Sequence, residues 1–386
     1  MEMYHGTWLH IGMSGAIFKN MVERNNIMSI YINATHGIAC AVLEDSVENY
    51  FGWPSVARLG DGTIVAGSSG LRRDHVCPWG KSVVAYSTDG GQTYGDLQVI
   101  HNDMVDNRDL GVVAMGGQKY AITWFSVDNR QGSHFKEFYR EAALAYLKTW
   151  DDDTVNTLLG SWMKITEDGG KSWTRPIRVP VSAPHGFSVM KDGTLGYLGK
   201  GYREDLRLPI GPVQYAVSAD GGYSWQIRGE VPIPAGDDVD QYHEPHVIEL
   251  DDGTLLGVIR FHIPEKDGGN LDTCLTFSRD GGRTWTEPKR MNVAGSPPHL
   301  LKHSSGAIVM VYGYRHPGYG QRAVVSRDNG LTWSEEIILR QDGPSSDLGY
   351  PCSIELDDGS IYTVYYQALP GKSNTSVLWT KWTLPE

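Results

Sequence analysis

The sequence predicts an all-β fold, a six-bladed β-propeller with one helical insertion, on three observations. An octet of the form Ser/Thr-x-Asp-x-Gly-x-Ser/Thr-aromatic occurs five times: STDGGQTY at 87–94, TEDGGKSW at 166–173, SADGGYSW at 218–225, SRDGGRTW at 278–285 and SRDNGLTW at 326–333. Turn dipeptides flanked by alternating apolar residues occur six times. Glycine is abundant (46 residues), and only one long stretch has helical spacing. A unit of two hairpins cannot bury both faces of its sheet alone, and radial stacking of six such units can.

The hairpins come in chain order as ARLGDGTIVAG, VVAMGGQKYAITWF, SVMKDGTLGYLG, VIELDDGTLLGVIR, LLKHSSGAIVMVYGY and SIELDDGSIYTVYY. Gly62 to Asp89, Gly193 to Asp220 and Gly253 to Asp280 each span 27 residues, Gly306 to Asp328 spans 22, and Gly117 to Asp168 spans 51. The excess in the second repeat coincides with HFKEFYREAALAYLKTWDDD, so residues 134–156 read as a helical insertion. The octet reads as a self-supporting turn: its Asp accepts from nearby N–H and hydroxyl groups, its Gly takes a backbone angle others resist, and its aromatic packs beneath. The sixth repeat lacks an octet and ends at SVLWTKWTL, and a strand near HGIACAVLED (36–45) is expected to close the ring beside it. Residues 1–30 read as an N-terminal extension and 31–386 as a single propeller.

With 46 acidic against 34 basic side chains the formal charge is −12, which gives no global attraction to nucleic acid or to an anionic membrane. An anionic ligand would need local arginines. Cys40, Cys77, Cys274 and Cys352 form no metal-ligand spacing and read as packed thiols, and neither a metal nor a cofactor is expected. The first 30 residues lack the pattern of a secretion signal, and no run of about 18 apolar residues occurs, so a soluble, cytoplasmic protein is the expectation.

In each blade the first strand should run from one face of the ring down to the hairpin, and the second should return. The starts of the first strands are then YFGWP, NRDLG, PHG, YHEPH, PPH and LGYP, rich in His, Tyr and carboxylate. The ends of the second strands bring Arg72, Arg73, Arg260 and Arg315 (and Arg203) to the same face, and Arg322 opens a third strand. A ring of guanidinium groups suits a carboxylate, because the planar fork pairs with it bidentately. For each arginine alone, a solvated strand-end charge is the competing reading. Trp53, Trp79, Trp124 and Tyr319 are candidate sugar-stacking walls.

The octets and hairpins resemble those of the sialidase superfamily, whose six-bladed propellers carry such Asp-boxes; the resemblance covers about residues 48–383. It implies an exo-acting glycosidase releasing a terminal acidic sugar with retention. HEPHVIELDDGTLLGVIR and GYPCSIELDDGSIYTVYY carry the site part of the resemblance. It makes Tyr350 the nucleophile, Glu244 its base, and Arg260 and Arg322 two members of a carboxylate-binding triad. Asp74, after GLRR, is the implied acid, with His75 beside it. The chain departs from the family where Gly52 stands in place of the first-blade arginine, a gap that Arg72, Arg73 or Arg315 could fill.

His75, His185, His246 and His299 fall near the same face. They support a second reading, acid–base cleavage of a uronate-containing glycan by hydrolysis or elimination. Against it, each imidazole could instead bond a neighbouring blade's backbone. A glycan-binding propeller without turnover is the third reading.

Overall fold

In the computed structural model, residues 29–40, 46–130, 134–203, 208–264 and 270–385 are described. They form six sheets of four or five strands, antiparallel but for one added strand. Blade one holds Tyr50–Arg58, Ile64–Arg72, Lys81–Ser87 and Gln98–His101 in that order, and blade two holds Asp106–Ala114, Tyr120–Val127, Gly160–Thr166 and Ile177–Val179. Blade three begins with a broken strand, Val181–Ser182 and Ser188–Val189, beside Leu195–Gly201. Blades four, five and six begin at Tyr242–Glu249, Pro298–Lys302 and Leu348–Glu355. Their second strands are Leu255–His262, Ile308–Tyr314 and Ile361–Ala368, and their third strands are Leu271–Ser278, Gly320–Ser326 and Thr375–Trp382.

The ring closes as expected: Thr35–Cys40 runs antiparallel to Thr375–Trp382 as the outer strand of blade six, with Gly37 opposite Trp379. One addition was not foreseen. Ser29–Tyr31 pairs in parallel with Glu336–Arg340 of blade five, so Ser29 and Ile30, expected in the extension, belong to the sheet. Residues 1–28 and 41–45 lie outside the described residues.

The core is divided among the seams between blades. Phe51, Val56 and Ile64 of blade one meet Tyr362, Val364 and Trp379 of blade six, and Leu256 and Val258 of blade four meet Ile308, Met310 and Val324 of blade five. Similar apolar seams join the remaining neighbours. Each octet is the turn its composition implied. Around Asp168, the backbone N–H groups of Lys171 and Ser172 donate at 2.9 Å, and the hydroxyls of Ser172 and Thr166 donate at 2.6 and 2.8 Å. Trp173 Nε1 donates to the Gly170 carbonyl at 3.1 Å. Gly170 has φ +94°, and a Cβ there would lie 2.0 Å from the Tyr86 hydroxyl of the preceding blade, so the turn docks directly on its neighbour.

The insertion in blade two is two helices, α1 (Glu137–Leu147) and α2 (Asp152–Leu158). Asp151 caps α2 by accepting from Thr154 N at 2.8 Å. Tyr139, Ala143, Leu147 and Val155 form a small core with Val105, packed against Val76 and Trp79 of the blade-one loop, and the Tyr139 hydroxyl donates to the Val76 carbonyl. The insertion therefore props the loop that carries Asp74 and His75. Among the described residues no helix is long and apolar enough to cross a membrane, and no group of three or more His, Cys, Asp or Glu side chains is placed to hold a metal ion. All four cysteines are buried and unpaired.

Candidate active site

Four first strands share one irregularity. The register slips near Gly52 in blade one and between Arg108 and Gly111, His243 and His246, and Gly349 and Cys352 in blades two, four and six. Each slip holds a left-handed non-glycine residue: Trp53 (φ 53°), Asp109 (56°), Glu244 (45°) and Tyr350 (52°). A bulge of this kind re-aims a side chain at some cost in strain. The four sites occupy equivalent places around the ring.

The Tyr350 hydroxyl donates to Glu244, and Arg260 Nη1 donates to the other Glu244 oxygen at 2.6 Å and lies 3.4 Å from the Tyr350 hydroxyl. Burial pushes the Tyr350 phenol well above its ordinary value, and the charges of Glu244 and Asp109 add to this. Burial pushes Glu244 the same way, but the Arg260 guanidinium and the Tyr350 hydroxyl outweigh it and hold the carboxyl below the usual range. Asp109 has no such donor among the described residues, and burial first and the Glu244 charge second push it up against the opposing charges of Arg108, Arg260 and Arg72. Glu244 is thus held as the ionised carboxylate, while Asp109 is pushed up to about 7. A cavity of about 290 Å³ is bounded by Asp109, Glu244, Arg108, Lys200 and His243.

Arg315 lies over the Tyr350 ring, 5.6 Å from its centroid. Its Nε and Nη2, together with Arg260 Nε and His262 Nε2, are shielded from solvent and have no hydrogen-bond partner among the described residues. Buried guanidinium N–H groups left without a partner beside Tyr350 are suited to a ligand's acceptor oxygens. Arg108 and Arg72 flank Trp53 instead, at 4.2 and 4.9 Å from its ring.

The blade-one side of the site is built on Asp347. Its carboxylate accepts from the hydroxyls of Tyr50 and Tyr366 at 3.0 Å and lies 3.0 Å from His75 Nδ1. Tyr50, Trp53, Tyr350 and Tyr366 pack as one aromatic cluster. A Cβ at Gly52 would lie 3.2 Å from the Tyr50 ring, so the glycine makes room for that tyrosine.

Several sequence candidates fall elsewhere. Arg72 is fully buried and paired with Asp106 at 2.5 Å, so it is not a free clamp. Arg73 stacks on Trp79, 4.0 Å from its ring. Asp74 is held by Lys136 at 2.7 Å. Arg322 departs most from expectation: it donates to Glu336 at 3.2 Å and to the Gly318 carbonyl at 2.9 Å, and lines a separate cavity with Tyr312 and Tyr314. Trp53 and Trp124 are buried, not exposed walls.

His185, His246 and His299 do converge, with ring centroids 4.3 to 6.1 Å apart, but at the axis. Leu300 N of blade five donates to His246 Nδ1 at 3.2 Å, and Ser353 N of blade six donates to His299 Nδ1 at 3.4 Å. Two of the three thus fasten adjoining blades. Burial holds His185 and His246 down to about 3, so neither carries charge at neutral pH. They line a cavity toward the hairpin ends with Arg58, Lys302 and Glu355. Asp109, Arg108, His243, His262 and Asp347 were not singled out from sequence. Their one visible signal was position, since all but His262 stand at or just before the start of a first strand.

Residues 144–363 match the BNR repeat-like domain family. The chain belongs to that family. This BNR-repeat chain is similar to a sialidase from Bacteroides fragilis, at 24% identity over 221 residues, 51% of this chain and 38% of that protein. It is also similar to a sialidase from Paraclostridium sordellii, at 22% identity over 342 residues, 83% of this chain and 67% of that one. The chain therefore spans less than half of the first of these relatives. Among solved structures, a protein of unknown function from Dyadobacter fermentans superposes with TM-score 0.72 at 21% identity, over 91% of this chain and 98% of that one. A variant of the NanB sialidase from Streptococcus pneumoniae superposes with TM-score 0.66 at 14% identity, over 90% and 70%. The BNR repeats, the six blades and these relatives make the fold a sialidase-superfamily propeller.

Proposed function

We propose that this BNR-repeat protein is an exo-acting glycoside hydrolase of the sialidase type, which releases a terminal acidic sugar with retention through a Tyr350 glycosyl intermediate. The observation that carries the reading is the Tyr350–Glu244–Arg260 contact: a buried neutral phenol donates to a carboxylate that a guanidinium keeps ionised. In such a pair Glu244 removes the phenol proton as the oxygen attacks the anomeric carbon. A neutral nucleophile brings no second full negative charge beside a sugar carboxylate. The unfilled N–H groups of Arg315 and Arg260 are the places for that carboxylate, which gives the first-blade arginine's task to fewer guanidinium groups.

Proton NMR on a panel of sialylated and uronate-containing oligosaccharides tests this. Release of an acidic monosaccharide first seen as the α-anomer from an α-glycoside, and lost in Tyr350→Phe, is expected. A new vinylic sugar proton would replace the reading with a lyase. Binding without product would replace it with a glycan-binding propeller, and unchanged turnover in Tyr350→Phe would remove the nucleophile.

A further inference from the structure

We propose that His75, oriented by Asp347, is the group that protonates the departing sugar oxygen, in the place where the related enzymes use an aspartate. The inference rests on the retaining reading above, and three observations carry it.

The first is access. In an exo-acting enzyme the departing oxygen belongs to the remaining glycan, which must extend into solvent, so its proton donor has to stand at the rim. The His75 and Asp347 side chains are 42% and 35% exposed. The rival carboxyls are enclosed: Asp109 is 8% exposed, and the Asp74 side chain is 9% exposed and already holds Lys136.

The second is orientation. Asp347 takes three donors, the Tyr50 and Tyr366 hydroxyls and His75 Nδ1. Burial pushes this carboxyl up, yet the hydrogen bonds from His75, Tyr366 and Tyr50 hold it below the usual range, so it is ionised and fixed in place. Nδ1 lies 3.0 Å from Asp347 and 2.9 Å from the Tyr50 hydroxyl, so the ring is turned to present Nε2, which has no partner among the described residues. A carboxylate that fixes one imidazole nitrogen so that the other can exchange a proton is a recurring acid–base arrangement.

The third is placement. The His75 ring stands edge-on to Trp53 at 5.0 Å, and Trp53 stands edge-on to Tyr350 at 6.4 Å, so one indole separates the dyad from the nucleophile. Arg72 Nη2 holds the His75 carbonyl at 3.1 Å, and α1 holds the adjoining Val76 carbonyl through Tyr139. The loop is therefore fixed from both sides.

In the first step the Tyr350 oxygen forms a bond to the anomeric carbon as Glu244 takes its proton. The glycosidic C–O bond breaks, its electron pair goes to the departing oxygen, and that oxygen takes the Nε2 proton, leaving His75 neutral. In the second step neutral His75 takes a proton from water, whose oxygen attacks the anomeric carbon. The Tyr350 phenolate leaves and regains its proton from Glu244, which restores every group.

The test uses the full chain and two glycosides of whichever acidic sugar the NMR panel shows to be released. One carries an acidic nitrophenol as leaving group, the other a sugar alcohol. Loss of a general acid matters only where the leaving group needs a proton. For His75→Ala, kcat/KM is expected to fall more than about 100-fold on the sugar glycoside and less than about 10-fold on the nitrophenyl one. Added azide, which needs no general base, should speed turnover of the nitrophenyl glycoside by that variant and give a glycosyl azide. Asp347→Asn should show the same selectivity in weaker form. Equal loss on both glycosides in His75→Ala would assign the residue a structural role and overturn the proposal, as would leaving-group selectivity in Asp109→Asn with none in His75→Ala. If wild type turns over neither glycoside, or Tyr350→Phe is unaffected, the retaining reading itself fails and this inference falls with it.

Discussion

Arg315 and Arg322 are seven positions apart in blade five, yet only one meets Tyr350. Arg322 stands opposite Tyr312 across the ladder and turns to Glu336, while Arg315 follows the end of its strand and lies over the Tyr350 ring. Arg315→Ala is therefore expected to raise KM for an acidic substrate roughly ten- to a hundredfold, the worth of one or two hydrogen bonds to a charge, with a smaller change in kcat. Arg322→Ala should leave KM within about twofold and instead lower the thermal midpoint, because it leaves the half-buried Glu336 without its cation. Steady-state kinetics and thermal unfolding of both variants check the pair, and the reverse pattern would restore Arg322 to the site. That Tyr350, Glu244 and Arg260 come together was anticipated through the family resemblance, which is carried by segments around two hairpins. Asp109 was not, because the resemblance did not reach it: like Glu244 and Tyr350 it sits at a register slip, and sequence alternation runs through a bulge unmarked. The axial histidines were misplaced for a related reason: a strand start read as facing the mouth lay deeper along the axis.

At the scale of elements, the five octets were legible almost completely, because the hydrogen bonds that hold each octet's Asp come from residues within four positions of it. Hydroxyl and backbone donors hold Asp89, Asp220, Asp280 and Asp328 down to about 2, and Asp168 below the usual range as well. These folded-state values are depressed from an unfolded value near ~3.9, so their contribution is fully present above about pH 4 and is lost as pH falls through about 2. The thermal midpoint is expected to drop across that window, and Asp168→Asn should make the drop shallower. A midpoint flat from pH 4 to 2 in wild type would count against it. The helical insertion was legible too, but its task was not: nothing local says that Tyr139 will reach back to the Val76 carbonyl.

At the scale of the whole molecule, six hairpins and a leftover strand were enough to call for a closed ring, whereas the parallel addition of Ser29–Tyr31 to blade five had no sequence signal. Closure is sterically tight at one point, since a Cβ on Gly37 would come 2.4 Å from the Trp379 indole. Gly37→Val is expected to cost about 1–3 kcal/mol and lower the thermal midpoint, while Val47→Ala, at an exposed side chain, should not. Equal midpoints for both variants would mean that the strand does not bear on stability.

The pairing of Gly37 with Trp379 also sets an order of events in time. On a ribosome the strand Thr35–Cys40 emerges before any blade exists, and its partner Thr375–Trp382 emerges after the other five blades have been made. Until then one apolar seam on blade one and one free strand edge wait in water, which is where a half-made chain would stick to another of its kind. Joining segments so far apart in sequence is also intrinsically slow. The last step of refolding should accordingly be the slowest and the most sensitive to protein concentration.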